Sequence, residues 1–139
     1  MTLLKIALVL LAFVALAGLW VRLAPLPAER LTARPGPMEP GVHPLTGGVK
    51  VVRPLADLPE GAFERLCAIA AATPRTRQVG EDPCAFVTRS RLWGFPDIAV
   101  IWVQDGNLHI HSHLVFGRSD LGVNAARVAR WLDRLEAGS

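Results

Sequence analysis

Three histidines alternate along the stretch HIHSH at positions 109, 111 and 113, and the chain then turns through Gly117 into Arg118, Ser119 and Asp120. Alternate side chains of a β-strand project to one side about 6.5–7 Å apart, a spacing at which two imidazoles can share a metal ion. His109, His111 and His113 are therefore a weak alternative for a metal site. The third ring is at the edge of reach, and no carboxylate or cysteine close by in the sequence completes the set. Serines at 90, 112 and 119 with Asp97 and Asp120 offer the residue types of a Ser-His-Asp triad, but none stands on a G-x-S-x-G nucleophile elbow. No phosphate-binding glycine loop is present. No catalytic residue is assigned and no cofactor is expected.

The turn after the histidines has a direct structural account. Gly117 permits a sharp exit from a strand, and Ser119 or Asp120 can cap a following helix by accepting its free amide protons. The carboxylate of Asp120 also favours the positive end of the helix. Arg118 could pair with Asp120 or Asp97, or serve a ligand.

The elements that position these residues follow from hydrophobic period and turn chemistry. VKVV, from Val49 to Val52, reads as a short strand. Asp57 with Glu60 suggests a capping-box helix start, with Pro59 tolerated in the first turn. Phe63, Leu66, Cys67 and Ala70 recur at helical spacing until Thr73-Pro74 ends that helix. RTRQV reads as an edge strand, and CAFVTRSRL, DIAVIWVQ and NLHIHSHLVF read as an antiparallel meander. Asp105-Gly106 is a two-residue hairpin turn that pairs Gln104 with Asn107. Trp102 then lies opposite His109, Val100 opposite His111 and Ile98 opposite His113, on one face. The other face, with Ala99, Ile101, Val103, Leu108, Ile110, Ser112 and Leu114, is almost wholly apolar and needs cover.

Leu121, Ala125, Val128, Leu132 and Leu135 supply that cover from a final helix, with Arg127, Arg130 and Arg134 towards solvent. If Leu92 faces Asp97, Arg89 and Arg91 join the histidine face. The fold class is α+β: an antiparallel sheet of about four to five strands, helices packed on one face, and one N-terminal transmembrane helix in front.

That helix is the source of the high apolar content, 51% of 139 residues. Ile6 to Val21 is uninterrupted by charge, a little short of the roughly 20 residues that span a bilayer, and snorkelling of Lys5 lets Leu3 and Leu4 add to it. A cleaved signal peptide has a similar look, with Ala15-Leu16-Ala17 as its cleavage site. Trp20 and Arg22 at the far end favour a retained anchor over residues 1–22. Residues 23–48 hold six prolines and four glycines and read as an extended, helix-free spacer. The domain proper is expected over residues 49–136, outside the cytoplasm.

Without Lys5 and Arg22 the chain carries 13 basic and 12 acidic residues, which is not a nucleic-acid-binding balance. Cys67 and Cys84 match no zinc spacing and fit either a single bridge or two buried small residues.

TRSRLWGFPD followed by GRSDLGVNAARVARWL, with GGVKVVRPLADLP and IAAATPRT before them, resembles the domain of unknown function 1499 family, over about Gly47 to Leu135. The resemblance implies a small α+β domain, often behind a single membrane segment in bacterial proteins, with no agreed activity. The polar positions it carries over are Arg89, Ser90, Arg91, Asp97, Arg118, Ser119, Asp120 and Asn124. Asp97, Ser119, Asp120 and Asn124 are expected to serve structure.

The function expected is a membrane-tethered, non-enzymatic domain that binds a small anionic or amphiphilic ligand, such as an anionic lipid, or a protein partner. Its ligand residues would be Arg89, Arg91, Trp102, His111, His113 and Arg118. Histidines near their ordinary value of about 6.5 would add charge to such a site as pH falls from 8 to 5. The alternative is an envelope enzyme, hydrolase-like or metal-dependent, that uses the strand histidines.

A retained anchor predicts that the mature protein keeps residues 1–22 and stays with membranes through a carbonate wash. A mature N-terminus at Gly18 would overturn this.

Overall fold

The computed structural model describes residues 1–138. Six antiparallel strands form one sheet: β1 Gly41–Leu45, β2 Gly48–Pro54, β3 Thr76–Glu81, β4 Cys84–Arg89, β5 Pro96–Gln104 and β6 Asn107–Leu114. Their order is β1-β2-β6-β5-β4-β3. The four helices are α1 Thr2–Leu23, α2 Ala28–Thr32, α3 Ala62–Ala71 and α4 Val123–Ala137. The α+β architecture is as expected, with more strands than the sequence suggested.

The hairpin at Asp105-Gly106 has the expected register, with Trp102 opposite His109, Val100 opposite His111 and Ile98 opposite His113. The faces are also as expected. On one, Phe86, Ala99, Ile101, Leu108 and Ile110 are buried beneath α3 and α4, against Leu66, Ala70, Val128, Trp131, Leu132 and Leu135. Burial of several such side chains, each worth about 1.5–3 kcal/mol, is the main stabilising term.

The residues read as a spacer depart from expectation. Ala28–Thr32 is a short helix and Gly41–Leu45 is a strand. Prolines at 25, 27 and 35 bracket α2 without entering it, and Pro44 is tolerated because β1 is an edge strand. The stretch from Leu26 to Glu39 forms a strap over the second sheet face, where Leu26 and Leu31 pack against the layer of Val87, Ile98, Val100 and Trp102.

Other local expectations are corrected. The helix α3 starts at Ala62, with Gly61 at its cap in the left-handed region, φ 67°. Asp57 closes a 3-10 turn instead, and Leu58 is extended, as a residue before proline prefers to be. The β4–β5 register differs by four residues, Arg89 facing Pro96 and Thr88 facing Asp97. The cause is a longer loop, closed by Ser90 N–H on Phe95 O (2.9 Å) and Phe95 N–H on Ser90 Oγ (2.9 Å). Leu121 and Ala125 do not join the core, and Leu121 precedes α4 with 93% exposure.

Arg127 is not on the solvent side of α4. It is buried, and its guanidinium donates to Asp97 Oδ2 (2.9 Å) and to Asn124 Oδ1 (2.9 Å). Ser112 Oγ donates to the same Asn124 oxygen. The cap works as expected at Asp120, whose Oδ2 accepts from Asn124 N–H (2.8 Å) and Asn124 Nδ2 (2.9 Å), and whose Oδ1 accepts from Gly122 N–H (3.2 Å). Burial pushes the Asp120 carboxyl up, but these hydrogen bonds outweigh it and hold it below the usual carboxylate range.

Arg127→Ala leaves the Asp97 carboxylate without its cation and should cost about 3 kcal/mol, read by denaturant or thermal unfolding. Arg127→Met with Asp97→Leu should recover much of that loss. A neutral single substitution would show that the pair does not hold α4.

Candidate functional site

The residues singled out in the sequence are distributed over four places. Trp102 is buried, stacked on the His109 ring (centroids 5.1 Å apart, planes within 9°) and covered by the Lys50 ammonium 3.8 Å from its ring centre. Lys50 is itself fully buried, donates to Pro35 O of the strap (2.9 Å), and is pushed down to about 8 by burial. His109 Nε2 lies 3.3 Å from Gln104 O, and its Nδ1 is buried with no hydrogen-bond partner among the described residues.

His111 and His113 are half-buried and parallel, with ring centroids 5.9 Å apart. Together with Arg30, Pro35, Thr46 and Ile98 they line a cavity of about 490 Å³ between strap and sheet. His113 Nε2 lies 2.6 Å from Thr46 O, and Arg30 Nη2 is 2.9 Å from His113 Nδ1 and 3.1 Å from Leu114 O. Burial and the nearby His113, Lys50 and Arg30 lower His111 to about 4, and burial and Lys50 lower His109 as well. The expectation that the strand histidines gain charge between pH 8 and 5 therefore fails for His111, and the lowering of His109 runs against it. Burial under the strap, with Arg30 of the strap and Lys50 of β2, opposes that gain. Among the described residues, no group of three His, Cys, Asp or Glu side chains is placed to hold a metal ion.

Arg91 borders a different recess, of about 530 Å³, on the helix side of the sheet end; Arg89 borders it too, but its side chain alternates with Val87 onto the histidine face, as expected. Six arginines line it: Arg75, Arg89 and Arg91 from the strands and their loops, and Arg127, Arg130 and Arg134 from α4. Thr73, Thr88 and Ser90 add hydroxyls. Among the described residues Asp97 is the one lining carboxylate, and its partner is Arg127. Arg89 Nη1 is held by Gly94 O (2.9 Å) and Val21 O (3.4 Å), and Arg75 Nε by Arg89 O (3.2 Å). Arg91, Arg130 and Arg134 are exposed and make no ion pair among the described residues. Arg118 is exposed on the turn after β6.

The sequence reading missed Arg30, Lys50 and Arg75, and it placed Arg130 and Arg134 on a solvated face without assigning them a role. A signal did exist, because Arg127, Arg130 and Arg134 recur at three-four spacing and so share one side of a helix. Cys67 and Cys84 are free thiols, with Cys67 pushed well up by burial and by neighbouring Cys84.

The chain is thus a small α+β domain behind a helix long and apolar enough to cross a membrane, with a basic recess at one end of its sheet. Residues 42–135 match the family described as Protein of unknown function (DUF1499), and the chain belongs to that family. No curated protein and no solved structure matches it significantly.

Because the unfolded chain takes up protons near pH 6.5 and folded His111 only near 4, stability should fall as pH drops through that window. Thermal unfolding between pH 7 and 4 checks this. His111→Gln should flatten part of the slope, and an unchanged slope would show that the ring is not buried under the strap.

Proposed function

We propose that this is a membrane-anchored, non-catalytic domain of the bacterial envelope, extracytoplasmic, which binds a phosphate-bearing anion on its arginine-lined recess. The observation that carries this reading is the charge count of the recess. Of the six arginines that border it, only Arg127 meets a carboxylate among the described residues. Uncompensated cations in a concave site raise the local potential and attract an anion, and planar guanidiniums match phosphate oxygens in pairs. The hydroxyl of Ser90 at the same wall accepts from Phe95 N–H and keeps its own proton to donate to a remaining oxygen.

The position of the recess favours a lipid headgroup over a free anion. Arg89 binds the carbonyl of Val21, near the end of the apolar helix, so the recess opens beside the point where the chain would leave a bilayer. The cavity beneath the strap is less suited to an anion, since Arg30 is already engaged and His111 stays neutral above about pH 4. The enzyme alternative rests on those same histidines, and both ring nitrogens of His113 face backbone carbonyls or Arg30.

The test is titration of the full-length protein in neutral detergent with phosphatidylglycerol in mixed micelles and, separately, with inorganic phosphate. Wild type should bind the lipid, more weakly as salt rises. The Arg130→Ala, Arg134→Ala variant should lose about tenfold or more in affinity, as charge-assisted bonds typically contribute about 1.5–3 kcal/mol each. Equal binding of inorganic phosphate would identify a soluble anion as the ligand. Undiminished lipid binding by the variant would remove the recess from the reading, and turnover of the lipid would favour an enzyme.

A further inference from the structure

The loop between β4 and β5 contains Leu92, Trp93 and Phe95, all exposed, at 74%, 42% and 42%. These are costly residues to leave in water, and only Gly94 interrupts them, although a loop of polar residues would close the same turn. The loop is not free in space. Arg22 donates to Leu92 O (2.9 Å), Trp93 lies against Gly18, and together Leu92 and Trp93 border a groove with Ala15 and Leu19. Ala15 is eight residues before the end of α1 at Leu23, about 12 Å down the helix at 1.5 Å per residue. A loop that runs beside that stretch of a spanning helix must itself lie at the depth of the span's last two turns.

Two further apolar groups extend the same end of the domain. The Phe116 ring packs near both Trp20 of α1 (tilted, 5.8 Å) and Phe95 (edge-on, 6.5 Å). Leu121 is 93% exposed and sits at φ 53°, a left-handed backbone that a leucine adopts only against a steric cost. Nothing within the domain repays that exposure. Arg91 and Arg118 are exposed beside these groups in sequence, a mixture of aromatic, aliphatic and cationic side chains suited to the membrane–water interface.

We infer that Leu92, Trp93, Phe95, Phe116 and Leu121 form a foot that enters the headgroup and upper acyl region of the same bilayer that α1 crosses, with Arg91 and Arg118 on anionic headgroups. The occupant of this apolar surface is lipid, because the surface is continuous with α1. The inference rests on α1 being a retained span. It gives the basic recess its place: Ser90 borders both the recess and the hollow lined by Phe95 and Phe116, so the arginines stand directly above the headgroup layer.

The arrangement of tryptophans supplies the experiment. Trp102 and Trp131 are each 2% exposed, whereas Trp20 marks the span and Trp93 the foot. The full-length protein is reconstituted in vesicles of phosphatidylcholine and phosphatidylglycerol in equal parts, with the phosphatidylcholine brominated on acyl carbons close to the headgroup. Tryptophan emission is compared with that in unbrominated vesicles. Trp20→Phe and Trp93→Phe should each remove a distinct share of the quenching, and the double variant, left with its two buried indoles, should lose it. Leu121→Glu, a change at a fully open position, should lessen the quenching of Trp93 and leave that of Trp20 intact. Quenching that survives Trp93→Phe in full, while Trp20→Phe abolishes it, would overturn the foot and leave the span standing. Absence of quenching in wild type would overturn the span, and the foot with it.

Discussion

The arrangement depends on one buried contact, the Arg127 guanidinium between Asp97 and Asn124. A charge taken out of water is unfavourable unless its partners are complete, and here they are supplied by two elements at once: Asp97 from β5 and Asn124 from the first turn of α4. Ser112 of β6 joins through the same Asn124 oxygen, and Asp120 fixes the Asn124 amide from below. Sliding α4 along the sheet would break several of these bonds together. The network therefore sets the helix in register over β5 and β6, which lets Val128, Leu132 and Leu135 meet Ile101, Leu108 and Ile110. It also sets the electrostatics, because the carboxylate that could neutralise the recess is consumed by the one arginine that needs it for burial.

The second face of the sheet solves a different problem with different residues. It carries Lys50, His109, His111 and Trp102, none of which packs as simply as an aliphatic side chain. The indole between the Lys50 ammonium and the His109 ring gives the cation a π-face in place of lost water, and Pro35 O gives it an acceptor. Neutral imidazoles suit this layer, and the depressed values of His109 and His111 express the same physics as their burial. The strap is the lid that makes the layer a core, so the histidines that first invited a metal or catalytic reading are chiefly the filling between strap and sheet.

What the sequence made legible was what local rules determine. Asp105-Gly106 set a register, alternation then set the faces, and Gly117 to Asp120 announced a capped helix; each of these rests on contacts within a few residues. The misjudged features depend on partners far away in the chain. Arg127 looks like a solvated arginine until Asp97, thirty residues earlier, is known to face it. Proline and glycine density in residues 23–48 suggested a helix-free spacer, which α2 overturns, and it could not reveal that Leu26 and Leu31 have an apolar layer to cover. The β4–β5 register was shifted because a loop closed by Ser90 holds more residues than its turn signals suggest. Of the candidate site, Arg89 and Arg91 were placed together from sequence; the arginines that join them come from α3's exit and from α4, and only the fold brings those in.

The strap also changes what the apolar helix can do for the domain. A free linker of residues 23–48 would let the domain diffuse through a wide volume above a bilayer, and its orientation would carry no information. Here the same residues are spent on the sheet: α2 packs on it, Arg30 binds β6 through His113 and Leu114, and β1 extends it. Immediately before them, Arg22 and Val21 are bonded to the β4–β5 loop and Arg89. The chain thus passes from helix to sheet with almost no slack. An exit of this kind ties the direction of α1 to the sheet end that carries the arginines, so that, with α1 in a bilayer, the surface facing it would be a property of the fold and not of chance encounter.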